Sequence, residues 1–160
     1  IPSPKVTTYD MKPEMSAKLI ENKLVNVIQK KIYDVIIVNF ANPDMVGHTG
    51  NLEAVIKSVE TIDKAIGNLK KAIDETNGII LLTSDHGNCE LMWNNKKKSP
   101  HTAHTTNKVP LILINSRQNE CLNSLKLKDG KLCDIGPTIL DFLKLTPSKA
   151  MSGKSLIFKP

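Results

Sequence analysis

The sequence has 160 residues, of which 40% are apolar and 24% are charged, and its formal net charge is +6 at pH 7. This composition is typical of a globular domain and excludes a wholly disordered chain. No apolar run reaches the roughly 18 residues that a membrane-spanning helix needs. The sequence starts at Ile1 without a signal peptide or an initiator Met, so we expect a piece of a longer cytoplasmic protein.

The positive charge comes almost entirely from lysine, because Arg117 is the only arginine. Proteins that bind nucleic acids use arginine for paired contacts and aromatic rings for stacking. Aromatic residues are only 4% of this chain, so we expect no nucleic-acid partner, and the run Lys96 to Lys98 is interpreted as a solvated loop tip. The cysteines, Cys89, Cys121 and Cys133, lack C-x-x-C spacing, which is typical of a reducing compartment.

The first half of the chain predicts two helices around one strand. Apolar residues at helical spacing predict an amphipathic helix over residues 17–31, capped by Ser16. The branched run Val35 to Val38 predicts a strand buried on both faces. A polar segment follows, and then a long helical pattern over residues 52–76, where Gly78 is expected to take the left-handed conformation that ends it.

The second half predicts two more strands and a short helix. Residues 79–82 and 109–114 are the strands, and a long polar stretch lies between them. Residues 134–143 predict a helix with Pro137 in its first turn. This order indicates an α/β fold with a largely parallel sheet flanked by helices. In such sheets, ligands bind in the loops beyond the carboxyl ends of the strands.

All four histidines lie in the two polar segments that follow the first and second predicted strands: His48, His86, His101 and His104. Asp44 and His48 stand four residues apart and share a face if the segment is helical. Asp85 and His86 directly follow a strand. Mixed carboxylate and imidazole ligands favour Mn²⁺, Zn²⁺ or Co²⁺ over Ca²⁺. More candidate ligands are present than one tetrahedral site takes, so two ions are plausible, as in enzymes that handle phosphoryl groups.

Several motifs, in order over nearly the whole chain, resemble the cofactor-independent phosphoglycerate mutases. The most specific is the segment Asn42-Pro43-Asp44-Met45-Val46-Gly47-His48. Further matching segments are residues 2–10, 12–16, 83–88, 101–107, 134–140 and 151–156. Asp85-His86-Gly87 alone indicates only the wider alkaline-phosphatase-like superfamily.

The resemblance implies an alkaline-phosphatase-like fold and an isomerase that interconverts 3-phosphoglycerate and 2-phosphoglycerate in glycolysis and gluconeogenesis. In that family two metal ions, commonly Mn²⁺, activate a serine that takes up the phosphoryl group and returns it. By resemblance, Asp44, His48 and His104 bind one ion, and Asp85 and His86 are two ligands of the other. His101 matches a variable position and is left out of the ligand set.

The resemblance also implies that residues 1–160 are the C-terminal portion of the metal-binding phosphatase domain, and therefore an incomplete domain. Nothing matches the segment with the family's nucleophilic serine, one further metal-binding aspartate, or the inserted transferase domain. We therefore expect this chain alone to be inactive. Two alternatives stay open. One is a fragment of another phosphatase or a phosphopentomutase of the superfamily, and the other is a basic binding module with a structural metal site.

Overall fold

A computed structural model describes residues 1–116 and 125–158. Arg117 and Cys121 lie outside the described residues. The helices are α1 (Ala17–Gln29), α2 (Asn42–Gly47), α3 (Leu52–Thr76) and α4 (Ile135–Phe142), with 3₁₀ turns at Tyr9–Met11 and Leu132–Asp134. The strands are β1 (Ile79–Thr83), β2 (Trp93–Asn94), β3 (Ser99–Pro100), β4 (Leu111–Asn115), β5 (Lys126–Leu127) and β6 (Ile157–Phe158).

The helices follow the sequence pattern closely. Helix α3 has the predicted bounds, and α1 ends two residues before its predicted end. Asn51 caps α3, since its side chain accepts a hydrogen bond from the Ala54 amide at 3.1 Å. Pro137 lies near the start of α4, as predicted. No helix among residues 1–116 and 125–158 is long and apolar enough to cross a lipid bilayer.

Two predicted helix ends are wrong in detail. Ser16 precedes α1, but its hydroxyl donates to the carbonyl of Pro2 at 2.6 Å and caps no helical amide. Asn77, with φ of 58°, takes the left-handed position after α3, and Gly78 does not. Asparagine tolerates this conformation better than most residues with a side chain. The Gly78 amide then donates to the carbonyl of Ile73 at 2.9 Å, which closes the helix end.

The α/β class is correct, but the expectation of parallel pairing is wrong for the described strands. Strands β1 and β4 pair antiparallel, with Leu81 opposite Leu113, and the pairs β2–β3 and β5–β6 are antiparallel too. Every residue of β1 is half-buried, and successive residues point to opposite faces, so both faces of this two-stranded sheet are only partly covered. Sequence order alone does not fix strand direction when the connection between β1 and β4 is a long loop.

The predicted strand Val35 to Val38 is not formed. The segment has no regular secondary structure, and the side chain of Ile37 is 86% exposed. A strand requires neighbours that accept its backbone hydrogen bonds, and none of the described residues pairs with this segment. The apolar run is therefore on the surface rather than inside a sheet.

The core that supports the site lies between α2 and the start of α3. Val46 of α2 is fully buried and packs with Met15, Ala54 and Val55. The side chain of Asn42, also buried, donates to the carbonyl of Pro13 at 2.9 Å. These contacts hold α2 rigidly against α3, so the residues at the exposed side of α2 keep a fixed position.

Candidate metal centre

Helix α2 places Asp44 and His48 side by side, as their four-residue spacing predicts. His48 directly follows the last residue of α2, and its amide donates to the carbonyl of Asp44 at 3.1 Å. His48 Nε2 lies 3.2 Å from Asp44 Oδ1. The other ring nitrogen, Nδ1, lies 2.7 Å from the carbonyl oxygen of Thr102. A carbonyl only accepts, so Nδ1 donates this hydrogen bond, and Nε2 is the nitrogen that faces the cluster.

His104 arrives from the loop between β3 and β4 and completes a three-residue cluster. Its Nε2 atom lies 3.0 Å from Asp44 Oδ1 and 3.0 Å from His48 Nε2. Ligand atoms bonded at about 2.1 Å to one ion lie about 3.0 Å apart in octahedral and about 3.4 Å apart in tetrahedral geometry. The spacing of these three atoms therefore fits one divalent cation.

His86 stacks on His104 and joins the same cluster. The ring centroids are 3.7 Å apart, with an angle of 22° between the planes. Ligand atoms of Asp44, His86 and His104 lie within 4.8 Å of one another. Asp85 lies at the edge of this cluster. Its side chain is 76% exposed, and its Oδ1 atom lies 3.8 Å from His86 Nε2. Four of the five predicted ligands are thus gathered together, and Asp85 lies at the rim.

Neighbouring polar residues, which the sequence analysis did not single out, hold the loops together. Thr105 donates its amide to the carbonyl of Gly87 at 2.8 Å, forming an antiparallel bridge next to His104 and His86. The Thr105 hydroxyl and the side-chain Nδ2 of Asn107 both donate to the carboxylate of Glu90. The sequence signal for this link is the glycine between the motif residues His86 and Asn88. In the structure, a side chain at Gly87 would obstruct the contact with Thr105.

Two ionisable groups beside the cluster have shifted pKa values. Partial burial, reinforced by the charges of Asp44 and Glu90, raises the pKa of the Cys89 thiol to about 11. Burial by itself would raise the pKa of Glu90, but the hydrogen bonds from Thr105, Asn107 and backbone amides outweigh it and hold that pKa below its usual range. At neutral pH, Cys89 is therefore a neutral thiol and Glu90 a carboxylate.

The sequence profile described as the metalloenzyme superfamily matches residues 1–147. This chain belongs to the metalloenzyme superfamily. The ligand cluster described above is consistent with membership, because carboxylate and imidazole donors that converge on one point are what a divalent cation requires.

Two curated relatives of this chain carry the same activity in their names. The chain is 52% identical over 159 residues to the 2,3-bisphosphoglycerate-independent phosphoglycerate mutase of Acetivibrio thermocellus, covering 99% of the chain and 30% of that protein. It is 50% identical over 157 residues to the enzyme of the same name from Rhodopseudomonas palustris, covering 98% of the chain and again 30% of that protein. The chain therefore spans about 30% of the length of these curated relatives.

A solved structure of this group has the same fold. The phosphoglycerate mutase of Leishmania mexicana, crystallised at low cobalt concentration, superposes with a TM-score of 0.87 at 28% sequence identity. The match covers 100% of this chain and 31% of that one. The predicted alkaline-phosphatase-like class is thus confirmed at the level of the fold.

Proposed function

We propose that this chain is the metal-binding part of a 2,3-bisphosphoglycerate-independent phosphoglycerate mutase. The complete protein would interconvert 3-phosphoglycerate and 2-phosphoglycerate through a phosphoserine, in the cytoplasm, with two divalent ions, preferentially Mn²⁺. One observation carries the proposal. Asp44, His48 and His104 converge at 3.0 to 3.2 Å in a chain about half identical to enzymes of that name.

The residues of this chain would hold the metal ions and fix their orientation. By the family resemblance, we assign Asp44, His48 and His104 to one ion. His86, although it stacks on His104, is assigned with Asp85 to the second. Bound divalent ions neutralise charge on phosphoryl oxygens and lower the pKa of a nucleophilic hydroxyl. The Thr102 carbonyl orients His48, and the bridge between Gly87 and Thr105 fixes the distance between the two loops that carry the other imidazoles.

The rest of the longer protein would cover apolar surface that this chain leaves exposed. Tyr33, Val35, Ile37 and Val38 are between 40% and 86% exposed in one segment. A second apolar stripe on α3 consists of Leu52, Ile56 and Val59. Such continuous apolar surface is typical of interfaces, and a chain that spans 30% of its relatives lacks the segments that would cover it. We place the nucleophilic serine and the phosphoglycerate-binding residues in those segments.

The test is phosphoryl exchange by the full-length protein that contains this sequence. Conversion of 3-phosphoglycerate to 2-phosphoglycerate is followed by ³¹P NMR in the presence of Mn²⁺. We expect His104→Ala to lower the rate at least a hundredfold, because it removes a donor from the cluster. His101→Ala is the matched control in the same loop, and we expect it to retain most of the activity.

The same experiment separates the mutase from a related phosphatase. Release of inorganic phosphate from phosphoglycerate without formation of the other isomer would contradict the mutase proposal and favour a phosphomonoesterase. Equal activity of His104→Ala and the wild-type protein would contradict the assignment of the metal centre. The isolated chain of residues 1–160 is expected to show neither activity.

A further inference from the structure

Asn88 contacts the metal centre without being one of its predicted ligands. The residue is only 5% exposed and lies two positions after His86. Its side-chain Nδ2 donates to Asp44 Oδ1 at 2.7 Å and approaches the Asp44 carbonyl oxygen at 3.4 Å. Asp44 Oδ1 is the oxygen that also faces His48 and His104. A neutral amide donor at this position holds the carboxylate without competing with a cation for it.

The orientation of the Asn88 amide has one stable form. Turning it by half a rotation would place Asn88 Oδ1, an acceptor, against the carboxylate of Asp44, so the two oxygens would repel each other. In the observed orientation Oδ1 is buried and has no hydrogen-bond partner among the described residues. A buried acceptor without a partner is unfavourable. The Asn88 side chain thus leaves its Oδ1 without a hydrogen bond and keeps its Nδ2 directed at Asp44 Oδ1.

Gly47 is the residue that makes room for this contact. A Cβ atom at Gly47 would lie 2.9 Å from Asn88 Cγ and closer still to Asn88 Oδ1. Real Cβ atoms essentially never approach another heavy atom below 3.0 Å. Any side chain at position 47 would therefore push Asn88 away from α2. Gly47 lies between Asp44 and His48 in the chain. The close approach of Asn88 to Gly47 therefore packs the turn that follows β1 against the segment that carries both ligands.

We propose that Asn88 is a positioning residue that fixes the carboxylate of Asp44 for metal binding, and that Gly47 is glycine to admit it. This inference rests on the metal centre of the proposed function. Groups that orient a metal ligand typically contribute about 10- to 100-fold to metal affinity. Because Asn88 and His86 share one turn, the position of Asp44 is coupled to that of an imidazole on a different loop.

The test is a Co²⁺ titration of the full-length protein that contains this sequence, followed by the visible absorption of the bound ion. We expect Asn88→Ala to weaken Co²⁺ binding by about tenfold or more. Gly47→Ala, which leaves the amide in place but displaces it, should weaken binding in the same direction. Gly67→Ala is the matched control, since a Cβ there meets nothing within 4 Å, and its affinity and absorption spectrum should equal those of the wild type. Circular dichroism of the metal-free proteins checks that each variant folds.

A double-mutant cycle separates positioning from a general structural role. If Asn88 acts through Asp44, Asn88→Ala should change Co²⁺ affinity less than twofold in an Asp44→Asn background. An equal loss in both backgrounds would overturn the proposal, as would unchanged affinity of Asn88→Ala in the wild-type background. Absence of Co²⁺ binding by the wild-type protein would instead refute the metal centre itself, and the role of Asn88 with it.

Discussion

Gly87 is one of the points at which the loop that carries His86 touches the loop that carries His104, so an alanine there tests how the metal centre is assembled. The Gly87 carbonyl accepts the Thr105 amide at 2.8 Å. A Cβ on Gly87 would lie 3.0 Å from Glu90 Cδ and even closer to Thr105 Oγ1 and Glu90 Oε1. Ordinary van der Waals contact begins at 3.4 Å. The contact with Thr105 Oγ1, which is shorter than 3.0 Å, must therefore lengthen by more than 0.4 Å. Because the Thr105 hydroxyl is held by Glu90, we expect Thr105 itself to shift away from Gly87 in Gly87→Ala.

The size of the effect follows from what this separation disturbs. His104 precedes Thr105 in the chain and moves with it. Metal–ligand distances in working sites stay within about 0.2 Å of their ideal values, so the displacement is at least twice what a site tolerates. Separation also weakens the bonds of Thr105 to Gly87 and Glu90, which together contribute about 2 kcal/mol to stability. This value lies at the lower end of the usual range for two such hydrogen bonds, because solvent weakens the bond to the exposed carboxylate of Glu90.

The assay is metal affinity measured on the full-length protein, with circular dichroism as a check of folding. We expect Gly87→Ala to bind Mn²⁺ at least tenfold more weakly than the wild type. Gly67→Ala on the open face of α3 is the control; it should bind normally and unfold at a slightly higher temperature, because alanine favours a helix over glycine by about 1 kcal/mol. A Gly87→Ala protein that folds and binds Mn²⁺ like the control would refute the claim that contact between these loops sets the site.

Three further predictions concern other features of the chain. Because the pKa of Cys89 is about 11, its thiolate fraction at pH 8 is about a hundredfold below that of an ordinary thiol. Iodoacetamide should therefore label the exposed Cys133 far faster than Cys89, which peptide mass spectrometry would measure. Equal labelling rates would contradict the burial of Cys89. The lowered pKa of Glu90 means that its carboxylate stabilises the fold above a pH of about 4.3 and that this contribution is lost as the pH falls further. The gap in unfolding temperature between metal-free wild type and Glu90→Gln should thus be a few degrees at pH 6 and shrink steadily as the pH falls below about 4.3. A constant gap would exclude this role. The isolated chain should bind the dye ANS several-fold more strongly, per molecule, than the full-length protein, because the segment around Ile37 is uncovered; equal fluorescence would argue against an interface there.

The elements that the sequence predicted well are those whose stability is local. Helix α3 keeps its apolar spacing from end to end and has the predicted bounds, although the left-handed residue after it is Asn77 and not the predicted Gly78. The same holds for the pairing of Asp44 with His48, because one turn of helix fixes that distance. Local rules were sufficient at these positions.

The elements that the sequence predicted poorly depend on partners remote in the chain. Val35 to Val38 has the composition of a buried strand, yet no described residue pairs with it. The direction of β4 relative to β1 depends on the path of the loop between them. The spacing of apolar residues along the sequence does not predict that path. Asn88 was missed for a similar reason, since its role arises from contact with a residue 44 positions earlier.

The metal centre depends less on the remainder of a longer protein than the sheet does. Its links all join segments within this chain: His48 to Thr102, Gly87 to Thr105, and Asn88 to Asp44. The apolar surface around Ile37 has no such internal partner. Geometry for holding a cation is therefore encoded in these residues, whereas a complete sheet requires others. Under the proposed function, we expect such a centre to hold a cation through its own loop contacts, and the covering segments would contribute the nucleophile and the residues that bind the substrate.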